Sequence, residues 1–422
     1  MKVEVINTGT ELLLGNVTNT HLTFLGQELF PLGLRVERQV CVPDGPAIRE
    51  ALVETFGRAD VVLVTGGLGP TSDDLTRDIA AELLGRPLET QADILDRLRG
   101  YFERLKRPFY DSIARQAQVP AGGTVIDNRH GTAPGLYLPP TPLPGDAAGR
   151  VSPHVFLLPG PPRELRPMFT DQVAPMLRSF LPAGDGPPRE CRIYRAVGIG
   201  ESQVEALVAP QLEAMGGLEI GYCARLGEVD LRLIGTAEAL DRAEGIVIPA
   251  LGSFLLSRDG KALEEVLVRW LREAGQTLAV AESCTGGLLG HRLTNVPGAS
   301  AVFVAGLTTY ASSAKSSLLK VDPALIEQHG AVSGPVAAAM AAGAREVTGA
   351  DFALATTGEA GPDSGEGKPA GTLYIALATP DGGEATVEEH FFPTDREAFK
   401  FRASQAALDL LRRKFREGKP EV

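Results

Sequence analysis

Long apolar runs are missing from this 422-residue chain: no stretch of 18 or more predominantly apolar residues occurs, which excludes an ordinary transmembrane helix. The start, MKVEVINTGTELLLG, lacks a basic segment ahead of an apolar core, so a cleaved leader is not expected. Cysteine is sparse, with four residues (Cys41, Cys191, Cys223, Cys284) and no CxxC, and the six histidines form no HxxxH pair. Those absences argue against a disulfide framework and against a zinc finger. Positive charge is in deficit: 41 Lys and Arg face 53 Asp and Glu, a formal net charge of −12. Such a chain is poorly suited to sequence-independent grip on nucleic acid or anionic lipid. The expectation is a cytoplasmic protein with neither membrane nor nucleic acid as partner.

What is present is ordinary globular material, 44% hydrophobic and 22% charged, long enough for about three domains at about 150 residues each. Residues 2–7, 34–42, 60–65 and 154–160 read as strands, with helical stretches near 19–30 and at AIREALVETF between them. DVVLVT at 60–65 is almost wholly apolar, as suits a strand buried on both faces. Strands alternating with helices predict βαβ units and a parallel sheet. The run PPTPLPGDAAGR (139–150) reads as a surface loop. Periodicity breaks near LPAGDGPPRE, and strand, helix, strand, strand, helix then follow as a small α+β module. From about 258 the α/β pattern returns and ends in a helix with Phe399, Ala403, Ala406, Leu410 and Leu411 on one face. The predicted boundaries are 1–170, 171–257 and 258–422.

In the first part, four polar or glycine-rich turns follow successive strands. They are Thr8-Gly9-Thr10-Glu11, Asp44, Thr65-Gly66-Gly67 with Gly69, and Pro159-Gly160 within LPGPPREL. Open α/β sheets bind ligands beyond the carboxyl ends of their strands. Glycines there expose amides to phosphate, and Asp73, Asp74 and Asp78 offer hard oxygen to a divalent cation. Each turn alone is equally a tight connection with capped helices; four together favour a nucleotide-like pocket. TGTELL, TGGLGPTSDD and LPGPPREL resemble the molybdopterin-binding fold, and more closely the N-terminal domain of the CinA (competence/damage-inducible) family, over roughly residues 1–170. The resemblance implies hydrolysis of the ADP-ribose pyrophosphate with a divalent metal, Mg or Co. Asp44, Asp73 and Asp74 are the candidate ligands, and Thr8, Gly9, Glu11, Thr65, Gly66, Gly67, Gly69, Pro159 and Gly160 would hold substrate.

The stronger chemistry lies in AVAESCTGG, where Ser283 sits at a strand–helix junction. The amides of the helix start are expected to face the cleft as donors to a developing oxyanion or a phosphate. A serine needs a base, and no histidine occupies a partner motif. Lysine is scarce at nine residues, and one of them, Lys315, falls in TTYASSAK just past the next predicted strand. A desolvated lysine is a competent base, and Tyr310 is close enough in sequence to assist. A serine there is otherwise a helix cap, a lysine a solvated charge and a tyrosine strand packing. GEAGPDSGEGKPAG (358–371) reads as a loop closing over a ligand, and Arg396 opens the last helix, where a cation opposes the dipole unless an anion compensates.

AESCTGG, YASSAK, GEAGP and TDREAF are very similar to the nicotinamide mononucleotide deamidase domain at the CinA C-terminus. The resemblance implies hydrolysis of nicotinamide mononucleotide to nicotinate mononucleotide and ammonia without a cofactor. It also implies Ser283 as nucleophile, Lys315 as base and Tyr310 as assistant. Thr285, Gly286, Gly287, Gly358, Ala360, Gly361 and Arg396 would hold substrate, with Arg396 on the phosphate. Whether an acyl-enzyme forms or Ser283 activates water stays open. The middle module resembles the KH-type connecting domain of the family, though GIGES is a poor GxxG clamp. The fold expectation is therefore two α/β domains joined by a small α+β KH-like module, assembled as a homodimer. Two other functions remain open here: a non-catalytic adaptor in DNA uptake or recombination, and a molybdopterin-processing enzyme.

Overall fold

A computed structural model describes residues 1–181, 189–363 and 367–417. The chain divides into two compact units, residues 1–188 and 189–422. The segment near 181–190 where periodicity breaks lies largely outside the described residues. The first unit runs past residue 170 because Val173 and Leu177 are fully buried in its core.

The first unit is built on strands β1 (Val3–Thr8), β2 (Val36–Val42), β3 (Val61–Thr65), β6 (Thr124–Ile126), β7 (Gly135–Leu138) and β8 (His154–Leu158), in the order β2-β1-β3-β8-β7-β6. Two further short strands, β4 (Leu88–Thr90) and β5 (Gln118–Pro120), pair with each other. β1, β2, β3 and β8 run parallel, whereas β6 and β7 are antiparallel additions. Alternate residues of a strand face opposite sides. Val62 and Val64 accordingly join a core with Ile48 and Leu52 of the Ala47–Phe56 helix. Val61 and Leu63 face Leu25, Leu29 and Phe169 on the other side. Burial on both faces is why DVVLVT is apolar throughout.

The second unit begins with β9 (Arg189–Val197), β10 (Glu219–Arg225), β11 (Glu228–Thr236) and β12 (Leu255–Ser257), an antiparallel sheet in the order β10-β11-β9-β12. Helices Glu201–Met215 and Ala237–Leu251 pack against it through Val204, Val208, Leu240 and Val247. Then come β13 (Leu278–Glu282), β14 (Phe303–Thr308), β15 (Phe352–Gly358), β16 (Thr372–Ala378) and β17 (Thr386–Phe391), in the order β14-β13-β15-β16-β17. β13 is parallel to both neighbours, and β16 and β17 form the expected hairpin. One face packs Val280 and Leu354 against Leu267, Phe399 and Leu411. The other is alanine-rich, with Ala279, Ala281, Ala353 and Ala355 against Val336 and Met340. Behind that face the helices Ser312–Leu319 and Gly334–Thr348 meet closely: a β-carbon on Gly343 would lie 1.9 Å from the Leu319 carbonyl oxygen.

The last helix, Arg396–Arg416, ties this sheet to the middle module. Gln405 Nε2 donates to Glu228 at 2.9 Å, and Arg412 donates to the Ser253 carbonyl at 2.8 Å. Arg292 donates to Ser404 and Gln405 at 2.8 and 2.7 Å, and to Glu264 at 2.7 Å. Among the described residues no helix is long and apolar enough to cross a membrane.

Candidate functional site

Both parallel sheets change strand direction of growth beside a central strand, between β1 and β3 and between β13 and β15. At such points the connections diverge and leave a crevice at the carboxyl ends. The two candidate sites lie at those places.

In the second unit, the Ser283 amide donates to the Thr356 carbonyl at 2.9 Å, carrying the β13–β15 pairing one residue beyond the strand. The Thr285 and Thr356 hydroxyls meet at 2.8 Å, both buried. Gly286 and Gly287 take left-handed φ values of 61° and 96°, so glycine is what lets the chain turn into the Leu288–Thr294 helix. Lys315, on helix Ser312–Leu319, is 1% exposed and reaches Ser283 Oγ at 3.1 Å. Its Nζ also meets the carbonyls of Thr309 at 2.9 Å and Tyr310 at 3.2 Å. Nζ is the donor in all three contacts, and only loss of the proton aimed at Ser283 would leave a lone pair facing that hydroxyl. Cys284 is no rival nucleophile: burial pushes its thiol up to about 12, leaving it protonated at neutral pH.

The helix amides expected to face the cleft do not. The Glu282 carboxylate, 1% exposed, accepts from Gly287 and Leu289 at 2.9 and 3.0 Å and from Gly290 at 2.9 Å. A buried carboxylate already closes that helix N-terminus.

Tyr310 is 63% exposed, and its phenol accepts from Arg396 Nη2 at 3.1 Å. Its carbonyl, not its phenol, is what Lys315 meets. Arg396 Nη1 donates to the Gly361 carbonyl at 2.9 Å, so the guanidinium ties the glycine-rich loop to Tyr310. Asp395 is occupied as the helix cap, accepting from the Ala398 amide at 2.9 Å. Two loop residues are tightly packed. Ala360 packs in the core, and a β-carbon on Gly358 would lie 2.6 Å from the Thr372 carbonyl and 3.1 Å from Phe399. Residues 364–366 of the loop predicted to close over a ligand lie outside the described residues. Lys400, which the sequence reading passed over, has its Nζ 3.7 Å from where a β-carbon on Gly286 would stand. Its spacing of four from Arg396 put both on one helix face, a signal available in TDREAFK.

In the first unit, a cavity of about 350 Å³ is lined by Thr8, Gly9, Glu11, Asp44, Gly66, Gly67, Gly69, Asp73, Asp74, Pro159 and Gly160. Gln116 and Glu164 line it too, with no motif to announce them. Gly66 and Gly67 are required by close approach: β-carbons there would lie 2.6 Å from Thr8 and 2.1 Å from Thr76 Oγ1. Thr65 belongs elsewhere. It is 1% exposed, and its hydroxyl accepts from Asn7 at 2.7 Å beneath the cavity. Asp78 is likewise taken, paired with Arg77 at 3.0 Å and Arg115 at 3.4 Å.

The three candidate metal ligands share the cavity, yet among the described residues no three acidic, histidine or cysteine side chains converge on one point. Asp44 accepts from the Thr10 amide and hydroxyl at 3.0 and 3.1 Å, and Asp74 accepts from the Thr71 amide at 2.9 Å. The Thr71 hydroxyl beside Asp73 holds its carboxyl below the usual range. Such a set fits a Mg-like cation that takes one or two carboxylates and fills its shell with water and ligand phosphates. It does not fit an all-protein cage.

Sequence comparison divides the chain likewise. The model for the probable molybdopterin binding domain matches residues 4–179, that for the damage-inducible protein CinA KH domain 191–252, and that for the CinA C-terminal domain 260–415. A CinA-like protein of Akkermansia muciniphila is 45% identical over 97% of this chain and 96% of its own length. A CinA-like protein of Geobacter sp. strain M21 is 40% identical over 97% of each. The crystal structure of a CinA superfamily protein from Escherichia coli is 36% identical, covering 36% of this chain and 88% of that one, with a TM-score of 0.35.

Proposed function

The chain belongs to the CinA family, and from that premise we propose that its second unit is an amidase acting on nicotinamide mononucleotide. One observation carries the reading: the buried Lys315 amine sits 3.1 Å from Ser283 Oγ while two backbone carbonyls take its N–H groups. The reading requires Lys315 in its neutral form, the form that accepts a proton. In this reading Ser283 Oγ attacks the amide carbon and its proton passes to Lys315 Nζ. The C–N bond of the tetrahedral adduct then breaks, and the same proton leaves with the amine as ammonia. Water enters by the reverse path, with Lys315 again as base, and releases the carboxylate. Arg396 and Tyr310 form the rim on the phosphate side, and neither is asked to carry a proton. No step calls for a metal.

The test is ammonia and nicotinate mononucleotide release by the full chain, by Ser283→Ala and by Lys315→Ala, each checked for folding by circular dichroism. Both variants should lose at least about a thousandfold in kcat. Near-normal release by folded Ser283→Ala would end the Ser–Lys assignment, and no release by the unaltered chain would end the reading.

The cavity of the first unit favours a second activity, cleavage of the ADP-ribose pyrophosphate to AMP and ribose 5-phosphate. Its glycine-edged rim suits a ligand phosphate, and the aspartates Asp44, Asp73 and Asp74 would hold a divalent cation. When bound, the cation would supply charge neutralisation and an activated water. Glu11 and the backbone of Gly66, Gly67 and Gly160 would orient the ligand. A homodimer is part of the proposal, with light scattering as its measurement.

A further inference from the structure

We propose that Lys400 is the second cation of an anion seat shared with Arg396, placed to take the dianionic phosphomonoester of the substrate beside Ser283. The inference rests on the amidase reading and adds a residue that determines specificity for phosphorylated substrates.

Three observations lead to it. First, the usual seat for an anion at a strand–helix junction is closed, because Glu282 consumes the amides of Gly287, Leu289 and Gly290. A substrate phosphate aimed there would meet a carboxylate. Second, the facing helix supplies positive charge instead. Arg396 and Lys400 are four residues apart and share a side of that helix, with buried Phe399 pinning it to the core. Third, the two cations differ in how they are held. The Arg396 guanidinium is fixed by Gly361 and Tyr310, whereas among the described residues the Lys400 ammonium makes no hydrogen bond or ion pair. It nevertheless lies over the Ser283–Gly286 turn, 3.7 Å from the β-carbon position of Gly286. Glycine at 286, with φ 61°, keeps that space open.

A phosphomonoester carries close to two negative charges above its second pKa of about 6. One guanidinium balances half of that, and one ammonium balances the rest. The pair thus discriminates a nucleotide from a nucleoside amide by charge and not by shape.

The experiment compares the full chain with Lys400→Ala and Lys400→Arg, using nicotinamide mononucleotide and nicotinamide riboside as substrates and inorganic phosphate as a calorimetric probe. Lys400→Ala should raise KM for the mononucleotide about tenfold or more, leave kcat/KM for the riboside unchanged, and remove a component of phosphate binding. Lys400→Arg should restore most of the loss. Equal losses on both substrates, or none on either, would overturn the seat. If the unaltered chain turns over neither substrate, the amidase reading fails by itself. The calorimetry then decides the seat alone: Lys400-dependent phosphate binding supports it, and phosphate binding that is absent or indifferent to Lys400 overturns it.

Discussion

Ser283 and Lys315 stand 32 positions apart, and only the fold makes them neighbours, at 3.1 Å. Arg396 offers the sharpest prediction at this scale. Its guanidinium meets Gly361 and Tyr310 and, among the described residues, no carboxylate at ion-pair distance, so helix stabilisation through Asp395 or Glu397 is not its task. Losing a charge-assisted phosphate contact costs about 1.5–3 kcal/mol, a fall of about tenfold to 150-fold. Arg396→Ala should impose that on kcat/KM for the mononucleotide, mostly through KM, and spare the riboside. Equal losses on the two substrates would remove Arg396 from the phosphate. The cysteines give a second test. Cys223 is exposed, while Cys284 is buried with its thiol pushed up to about 12. Alkylation of the native protein should label Cys223, leave Cys284 unlabelled in peptide mass spectra and leave deamidation intact. Labelled Cys284 in active, folded protein would contradict this.

Among the elements, the β9–β11 pair of the middle module holds a compact ion network. Arg195 donates to Asp230 at 2.6 and 3.0 Å, and Arg225 adds a contact at 2.8 Å. Burial pushes the Asp230 carboxyl up, but the two arginines together outweigh it and hold it below the usual range. A carboxyl with a depressed folded-state pKa stabilises above its unfolded value and loses that contribution as pH falls through the folded one. Asp230→Asn should therefore cost about 1–3 kcal/mol near pH 7, because Arg195 loses one charge-assisted partner and keeps Glu228 at 3.4 Å. The gap to the unaltered chain should narrow steadily below about pH 4. Urea melts at several pH values check it, and a gap that ignores pH would discard the network as the cause.

Elements of this kind were legible to differing degrees. Runs such as VVLVT and FALATTG were readable because burial on both faces leaves no polar position in them. The short strands β4 to β7 and β12 were not, since three or four residues carry no periodicity. Within the site, glycine-rich turns at strand ends betrayed their location. The fate of the Leu288–Thr294 helix amides stayed hidden, because nothing local distinguishes Glu282 as a cap from Glu282 as the last residue of a strand. Gln116 and Glu164 reach the first cavity from segments with no motif. Thr65 and Ala360 sit in glycine-rich motifs yet are buried. A side chain at or just past a strand end can point inward as readily as outward, and sequence does not say which.

For the molecule as a whole, the two candidate sites have different electrostatic needs, and a chelator should separate them. The first cavity gathers aspartates beside glycines; the second site pairs a serine with a lysine, with Arg396 and Lys400 on the facing helix. EDTA should stop ADP-ribose cleavage in the folded chain, with magnesium restoring it, while ammonia release continues unchanged. Loss of both activities, with circular dichroism unaltered, would overturn that division of labour.

The final helix has 21 residues, about 32 Å at 1.5 Å per residue. Its first two turns carry Arg396 and Lys400, its middle grips Glu228 through Gln405, and its far end is tethered by Arg412 to the Ser253 carbonyl. It is a crankshaft with a bearing in each of two modules. A molecule that bound the middle module and tilted this shaft would move Arg396 and Lys400 at the opposite end. Linkage then demands the converse with the same coupling energy: any ligand held by those two cations must alter how tightly that molecule is bound.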